Sequence, residues 1–150
     1  MTASDDIRWM SEALKQARLA EKANEVPIGA VLVLDGKIIS RGRNQSISKN
    51  DPCGHAEIVC LRRAAKKLKN YRLSGTILYT TVEPCAMCAG AAVWARVKKI
   101  VYGCADSKAG ACGSVLNFSS IKLNHRFETV SGVLENECRT ILQQFFKKKR

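Results

Sequence analysis

Between Ile77 and Cys104 the chain is written to form two parallel strands. Ile77 to Glu83 is rich in β-branched residues and reads as a strand, Cys85 to Arg96 as a short helix of small residues, and Lys99 to Cys104 as another strand. Strand, helix and strand in that order make a βαβ unit, with the helix lying across one face of the pair.

The flanking segments extend this unit. Ser4 is placed to cap a helix whose first turn carries Asp5 and Asp6, with Met10, Ala13, Leu14, Ala17 and Ala20 following at helical spacing until Pro27 intervenes. Ile28 to Leu34 is a continuous apolar run, and Asp35-Gly36 offers a tight turn into Lys37 to Ser40, so a hairpin of two central or near-central strands is expected. A polar stretch from Arg41 to Gly54 follows, rich in loop formers. From His55 onward Ile58, Leu61, Ala65 and Leu68 set out a buried helical stripe, with basic residues on the other faces. After a Gly- and Ser-rich loop from Asp106 to Asn117, Phe127 to Val133 reads as a last strand. Leu134, Cys138, Ile141, Leu142 and Phe145 form the stripe of a final helix ending in Lys147-Lys148-Lys149-Arg150. The expected fold is α/β in three layers, α/β/α, with helices on both faces of a mixed five-stranded sheet. The 150 residues suit one domain, 1–150, large enough to bury roughly 70% of the surface of its unfolded chain.

Charge narrows the partners. The 25 Lys and Arg outweigh 13 Asp and Glu, giving a formal charge of +12, and an excess of that size attracts polyanions, nucleic acid first among them. Charge alone is equally compatible with a basic protein that has no such partner. Seven dispersed cysteines are not the dense, even framework of a small secreted scaffold, which implies a reducing compartment. The acidic start lacks the cationic and apolar regions of a signal peptide, and no apolar run approaches the roughly 20 residues that span a bilayer. A cytoplasmic protein without membrane association is expected.

Two short segments carry chemistry, His55-Ala56-Glu57 and Pro84-Cys85-Ala86-Met87-Cys88, each placed at the start of a helix. Cys85 and Cys88, three apart, project from one helical face, and Pro84 suits a helix start whose free amides stabilise thiolates. Zinc takes Cys sulfur and His nitrogen in tetrahedral geometry, and a catalytic site uses three protein ligands with the fourth position for water. His55, Cys85 and Cys88 supply three. Were Cys53 to close the shell the site would be structural; a Cys-x-x-Cys redox pair is the other alternative. Two thiolates neutralise the ion, so its water is acidified less than in a three-histidine site and needs a nearby proton acceptor. Glu57 can take that proton and pass it to a leaving nitrogen. Considered alone, a first-turn glutamate does no more than complement the helix dipole.

Together the segments match H-x-E…P-C-x-x-C, the pattern of zinc-dependent nucleobase deaminases. The likeness continues through Glu25-Val26-Pro27-Ile28-Gly29, Asn44, Asn50-Asp51-Pro52, Asn70-Tyr71-Arg72-Leu73, Ala89-Gly90-Ala91, Asp106-Ser107-Lys108-Ala109-Gly110 and Asn124-His125-Arg126. Over nearly its whole length the chain resembles the bacterial tRNA-specific adenosine deaminases of the cytidine/deoxycytidylate deaminase superfamily. That resemblance implies a cytidine-deaminase-like fold, a homodimer, one zinc per subunit, and conversion of adenosine to inosine at wobble position 34 in a tRNA anticodon stem-loop. By position, His55, Cys85 and Cys88 hold zinc and Glu57 is the proton shuttle. Asn44 aligns with a contact to the flipped base, and Val26, Pro27, Ile28 and Ala56 with the pocket. Asp106, Lys108, Phe146, Lys148, Lys149 and Arg150 align with regions meeting the anticodon loop. Aromatics followed by four cations can also stack on bases and pair with phosphates on general grounds, with Phe146 rather than Phe145 the exposed ring. Arg43, where an aromatic is expected, and Cys53-Gly54 depart from the family pattern. A deaminase of free guanine, cytosine or a nucleoside would share the metal site, and a non-catalytic zinc-stabilised nucleic-acid-binding module would need a closed four-ligand one.

Overall fold

A computed structural model describes residues 2–149. Its elements run α1 (Ala3–Lys22), β1 (Gly29–Leu34), β2 (Lys37–Arg43), α2 (Ala56–Leu68), β3 (Ile77–Val82), α3 (Ala86–Ala95), β4 (Lys99–Cys104), β5 (Glu128–Val130) and α4 (Glu135–Lys148). The strands form one mixed sheet in the order β2-β1-β3-β4-β5. β1 is antiparallel to β2 and β3, whereas β3, β4 and β5 run parallel. Asp35 and Gly36, at φ 51° and 73°, make the left-handed two-residue turn that matches the twist of a hairpin.

Alternation along the strands builds two cores, because successive side chains leave opposite faces of a pleated sheet. Ala30, Leu32, Leu78 and Ile100 pack with Ala56, Cys60, Leu61 and Ala64 of α2 and Ala89, Ala92 and Val93 of α3. Val31, Val33, Tyr79 and Val101 face the other way, onto Trp9, Met10, Ala13 and Leu14 of α1 and Cys138 of α4. The three-layer α/β/α arrangement with a mixed five-stranded sheet expected from the sequence is therefore the one found.

Several local expectations are corrected. Thr2, not Ser4, caps α1: its hydroxyl accepts from the Asp5 amide while the Asp5 carboxylate accepts from the Thr2 amide, and this reciprocal pair outcompetes a single cap two residues later. β2 is an edge strand, bonded only to β1, and accordingly half exposed. The buried face of α2 runs through Glu57, Cys60, Leu61 and Ala64; Ala65 is half-buried and Leu68 exposed, because small side chains meet the sheet most closely. Pro84 precedes the Cys85 N-cap of α3 instead of opening the helix. Of the expected last strand only Glu128–Val130 pair with β4. No helix among the described residues is long and apolar enough to cross a membrane.

Candidate active site

β3 ends at Val82, and just beyond it the N-termini of α2 and α3 converge. His55 is the N-cap of α2, Cys85 the N-cap of α3, and Cys88 lies in the first turn of α3. The His55 Nδ1 is 3.6 Å from the Cys85 Sγ and 3.6 Å from the Cys88 Sγ. All three ligand atoms lie within 4.8 Å of one another, the one such cluster of metal-binding side chains among the described residues. Their spacing fits a tetrahedral ion: zinc bonds of about 2.05 Å to nitrogen and about 2.3 Å to sulfur at the tetrahedral angle separate the two atoms by roughly 3.6 Å. The donor set and its spacing thus suit zinc. Cys53 is not in the cluster, so it does not supply a fourth corner.

Without a cation the two thiols share a proton unequally. A hydrogen bond from Cys88, reinforced by His55, pulls the Cys85 thiol down to about 3, whereas the same contact and burial push Cys88 up. Glu57 is 4% exposed, in the first turn of α2 and two residues after His55. Burial raises its carboxyl to about 7, against the opposing pull of its own amide and of His55. A carboxyl poised there both accepts and returns a proton at neutral pH.

Asn44 completes the N-terminus of α2. Since His55 gives no side-chain cap, the Ala56 amide instead donates to the Asn44 Oδ1 at 2.9 Å. That oxygen is committed to the helix, which leaves the side-chain NH2 as the donor that Asn44 can offer. The Asn44 amide N–H donates to the Ile28 carbonyl, and the Ile28 amide to Val26, which ties the Val26-Pro27-Ile28 turn to the same corner. Pro27 and Ala56 are buried, Val26 and Ile28 half-buried.

Two buried carboxylates, Glu25 and Glu83, hold the loops around this corner. Glu25 accepts from the Ile47 and Ser48 amides at 3.1 and 2.7 Å and so fixes the loop leading to His55. Glu83, two residues before Cys85, accepts from the Asp106, Cys112 and Ser114 amides at 3.0, 2.9 and 3.0 Å and from the Ser114 hydroxyl. A Cβ at Gly110 would fall into this carboxylate, so glycine is required there. Asp106 turns its own carboxylate to the Lys108 and Ala109 amides, which leaves Lys108 exposed at the tip.

The C-terminal residues lie further out. Phe145 is 7% exposed and Phe146 47%, the rings meeting edge to face. Phe146 lines an open groove of about 580 Å³ together with Cys104, Ala105, Arg139 and Lys147, next to the 106–109 turn. Lys148 and Lys149 are exposed beyond it, with the Lys149 Nζ 5.4 Å from the centre of the Phe145 ring. Arg150 lies outside the described residues.

Residues 4–150 match the family model of MafB19-like deaminases. The chain is 49% identical to the tRNA-specific adenosine deaminase of Haemophilus influenzae, over 97% of this chain and 85% of that one. It is 46% identical to the tRNA-specific adenosine deaminase of Bacillus subtilis, over 98% of this chain and 92% of that one. Among solved structures, one from studies of A-to-I editing by tRNA:A34 deaminases at the wobble position superposes with a TM-score of 0.88 at 45% identity, covering 90% of this chain and 99% of that one.

Proposed function

Because the chain belongs to the MafB19-like deaminases, and within them to the tRNA-specific adenosine deaminases, we propose that it hydrolyses adenosine to inosine at wobble position 34 of tRNA. One observation carries the reading: a three-ligand cluster at two helix starts, with the buried Glu57 carboxyl against it. Residues 1–150 then act as one zinc-dependent deaminase domain.

His55 Nδ1, Cys85 Sγ and Cys88 Sγ would hold one zinc per subunit, whose Lewis acidity would lower the pKa of a bound water so that it can be deprotonated near neutral pH. Glu57 takes a proton from the attacking water and delivers it to the purine ring nitrogen as the oxygen bonds to C6. It then takes the remaining hydroxyl proton to the exocyclic amine, the C6–N bond breaks, and ammonia leaves as the C6 carbonyl forms. Asn44 donates to the flipped base, held between Val26, Pro27, Ile28 and Ala56. Asp106, Lys108, Phe146, Lys148, Lys149 and Arg150 meet the anticodon loop, by stacking at Phe146 and charge at the lysines. The +12 charge suits such a substrate and gives a small neutral base no advantage.

The protein acts in the cytoplasm as a homodimer. Trp94 and Tyr71 are 71% and 73% exposed at an apolar recess walled by Ile58, Leu61, Ala91 and Ala95 of α2 and α3, and a second copy of this face would cover them. To test the activity, transcribed tRNA, free adenosine and free guanine are each incubated with the protein. Inosine at the wobble base alone, lost in Glu57→Ala with zinc content unchanged, supports the reading. Xanthine or free inosine instead would assign the site to a free-base or nucleoside deaminase, and bound zinc with no turnover to a binding module.

A further inference from the structure

We propose that the end of the sheet opposite the metal-ligand cluster is a second RNA-binding site, which holds phosphodiester groups of the substrate outside the anticodon stem-loop; this rests on the reading above that the substrate is tRNA. The cations come from the segments that enter the parallel strands. Arg72 lies shortly before β3, Arg96 and Lys98 before β4, and Arg126 before β5, and all four line one open cavity of about 410 Å³ with His125 and Glu128. The metal ligand Cys85 lies beyond the other end of β3. Six residues of strand at about 3.3 Å each put roughly 20 Å between the two ends, so one nucleotide cannot reach both.

Four cations face a single acid in this cavity, and none of the four takes part in an ion pair among the described residues. Like charges gathered without an ion-pair partner are favoured by an anion in the space between them, and guanidinium groups meet phosphate oxygens in a two-pronged fork. The backbone beneath them is fixed. The Lys98 amide donates to Thr76 and the Glu128 amide to Lys98, both at 3.0 Å, while the His125 Nε2 sits 2.6 Å from the Val97 carbonyl. His125 therefore ties the 125–128 segment to the turn before β4. Arg96 caps α3 with φ 64°, a left-handed conformation in which glycine or asparagine is the ordinary choice.

The test compares Lys98→Ala/Arg126→Ala, both exposed positions, with the unaltered enzyme on intact tRNA and on an isolated anticodon stem-loop. KM for intact tRNA is expected to rise about tenfold at unchanged kcat. Log(kcat/KM) should fall less steeply with log salt by about 1.5, in line with two lost phosphate contacts. Turnover of the stem-loop should be unaltered, which also shows that the variant is folded. Equal losses on both substrates, or no loss on either, would overturn the proposal. Failure of the unaltered enzyme to edit tRNA at all would overturn the deaminase reading instead, and this site with it.

Discussion

Replacing Glu83 by Gln is expected to destabilise the protein by about 3–5 kcal/mol at neutral pH. The side chain is 3% exposed and its two oxygens receive three amide N–H groups and the Ser114 hydroxyl. A glutamine that keeps Asp106 and the Ser114 hydroxyl on its oxygen turns an NH2 group toward the amides of Cys112 and Ser114. Two hydrogen bonds to a charged acceptor are lost, each worth roughly 1.5–3 kcal/mol. Burial raises the Glu83 carboxyl, yet the hydrogen bonds from Ser114 and the loop amides outweigh it and hold the group below the ordinary carboxylate range. A group depressed in the folded state contributes stability above its unfolded value of about 4.3, and loses it as pH falls through the folded value. The gap between wild type and variant should therefore be widest near pH 7 and close on acidification below about pH 4. Urea unfolding followed by circular dichroism at several pH values measures it. A gap under about 1 kcal/mol at pH 7, or one indifferent to acid, would refute the assignment of Glu83 as the anchor of the 106–114 loop.

Three further outcomes are expected. Asn44→Asp keeps an oxygen for the Ala56 amide and removes the NH2 donor, so kcat/KM for tRNA should fall by about 30-fold with little change in Tm; unaltered kcat/KM would exclude Asn44 from base binding. Zinc uptake by metal-free protein near pH 7 should release at least one proton per site, since Cys88 is held protonated there, and affinity should rise with pH; calorimetry in buffers of different ionisation enthalpy reads this directly. Trp94→Glu should leave the fold intact and shift sedimentation from dimer to monomer, and a persistent dimer would move the interface elsewhere.

Much of the architecture is legible because it depends on local pattern. The βαβ unit follows from one punctuation mark, Pro84-Cys85, between two apolar runs, and the β1–β2 turn from Asp35-Gly36. The spacing of Cys85 and Cys88 likewise announces a ligand pair before any coordinates, and the H-x-E segment names its companion. What escaped depends on partners distant in sequence or on reading the larger apolar residue as the buried one. Thr2-x-x-Asp5 is a capping-box signal in plain sight that Ser4 obscures. Leu68 looks like the end of the α2 stripe, yet Ala64 and Glu57 occupy the buried face, and a buried glutamate is not something apolar periodicity can announce. The edge position of β2 follows from pairing alone. Glu25 and Glu83 work by collecting amides from loops more than twenty residues away, which no periodicity encodes.

Whether zinc held by His55, Cys85 and Cys88 keeps its fourth position for water decides whether this cluster can hydrolyse anything. Zinc K-edge X-ray absorption on the zinc-loaded protein should find two sulfur neighbours at about 2.3 Å and two nitrogen or oxygen neighbours at about 2.0 Å, with a spectrum unaltered in Cys53→Ser. A third sulfur, lost in that variant, would show a closed structural site and contradict the hydrolytic reading.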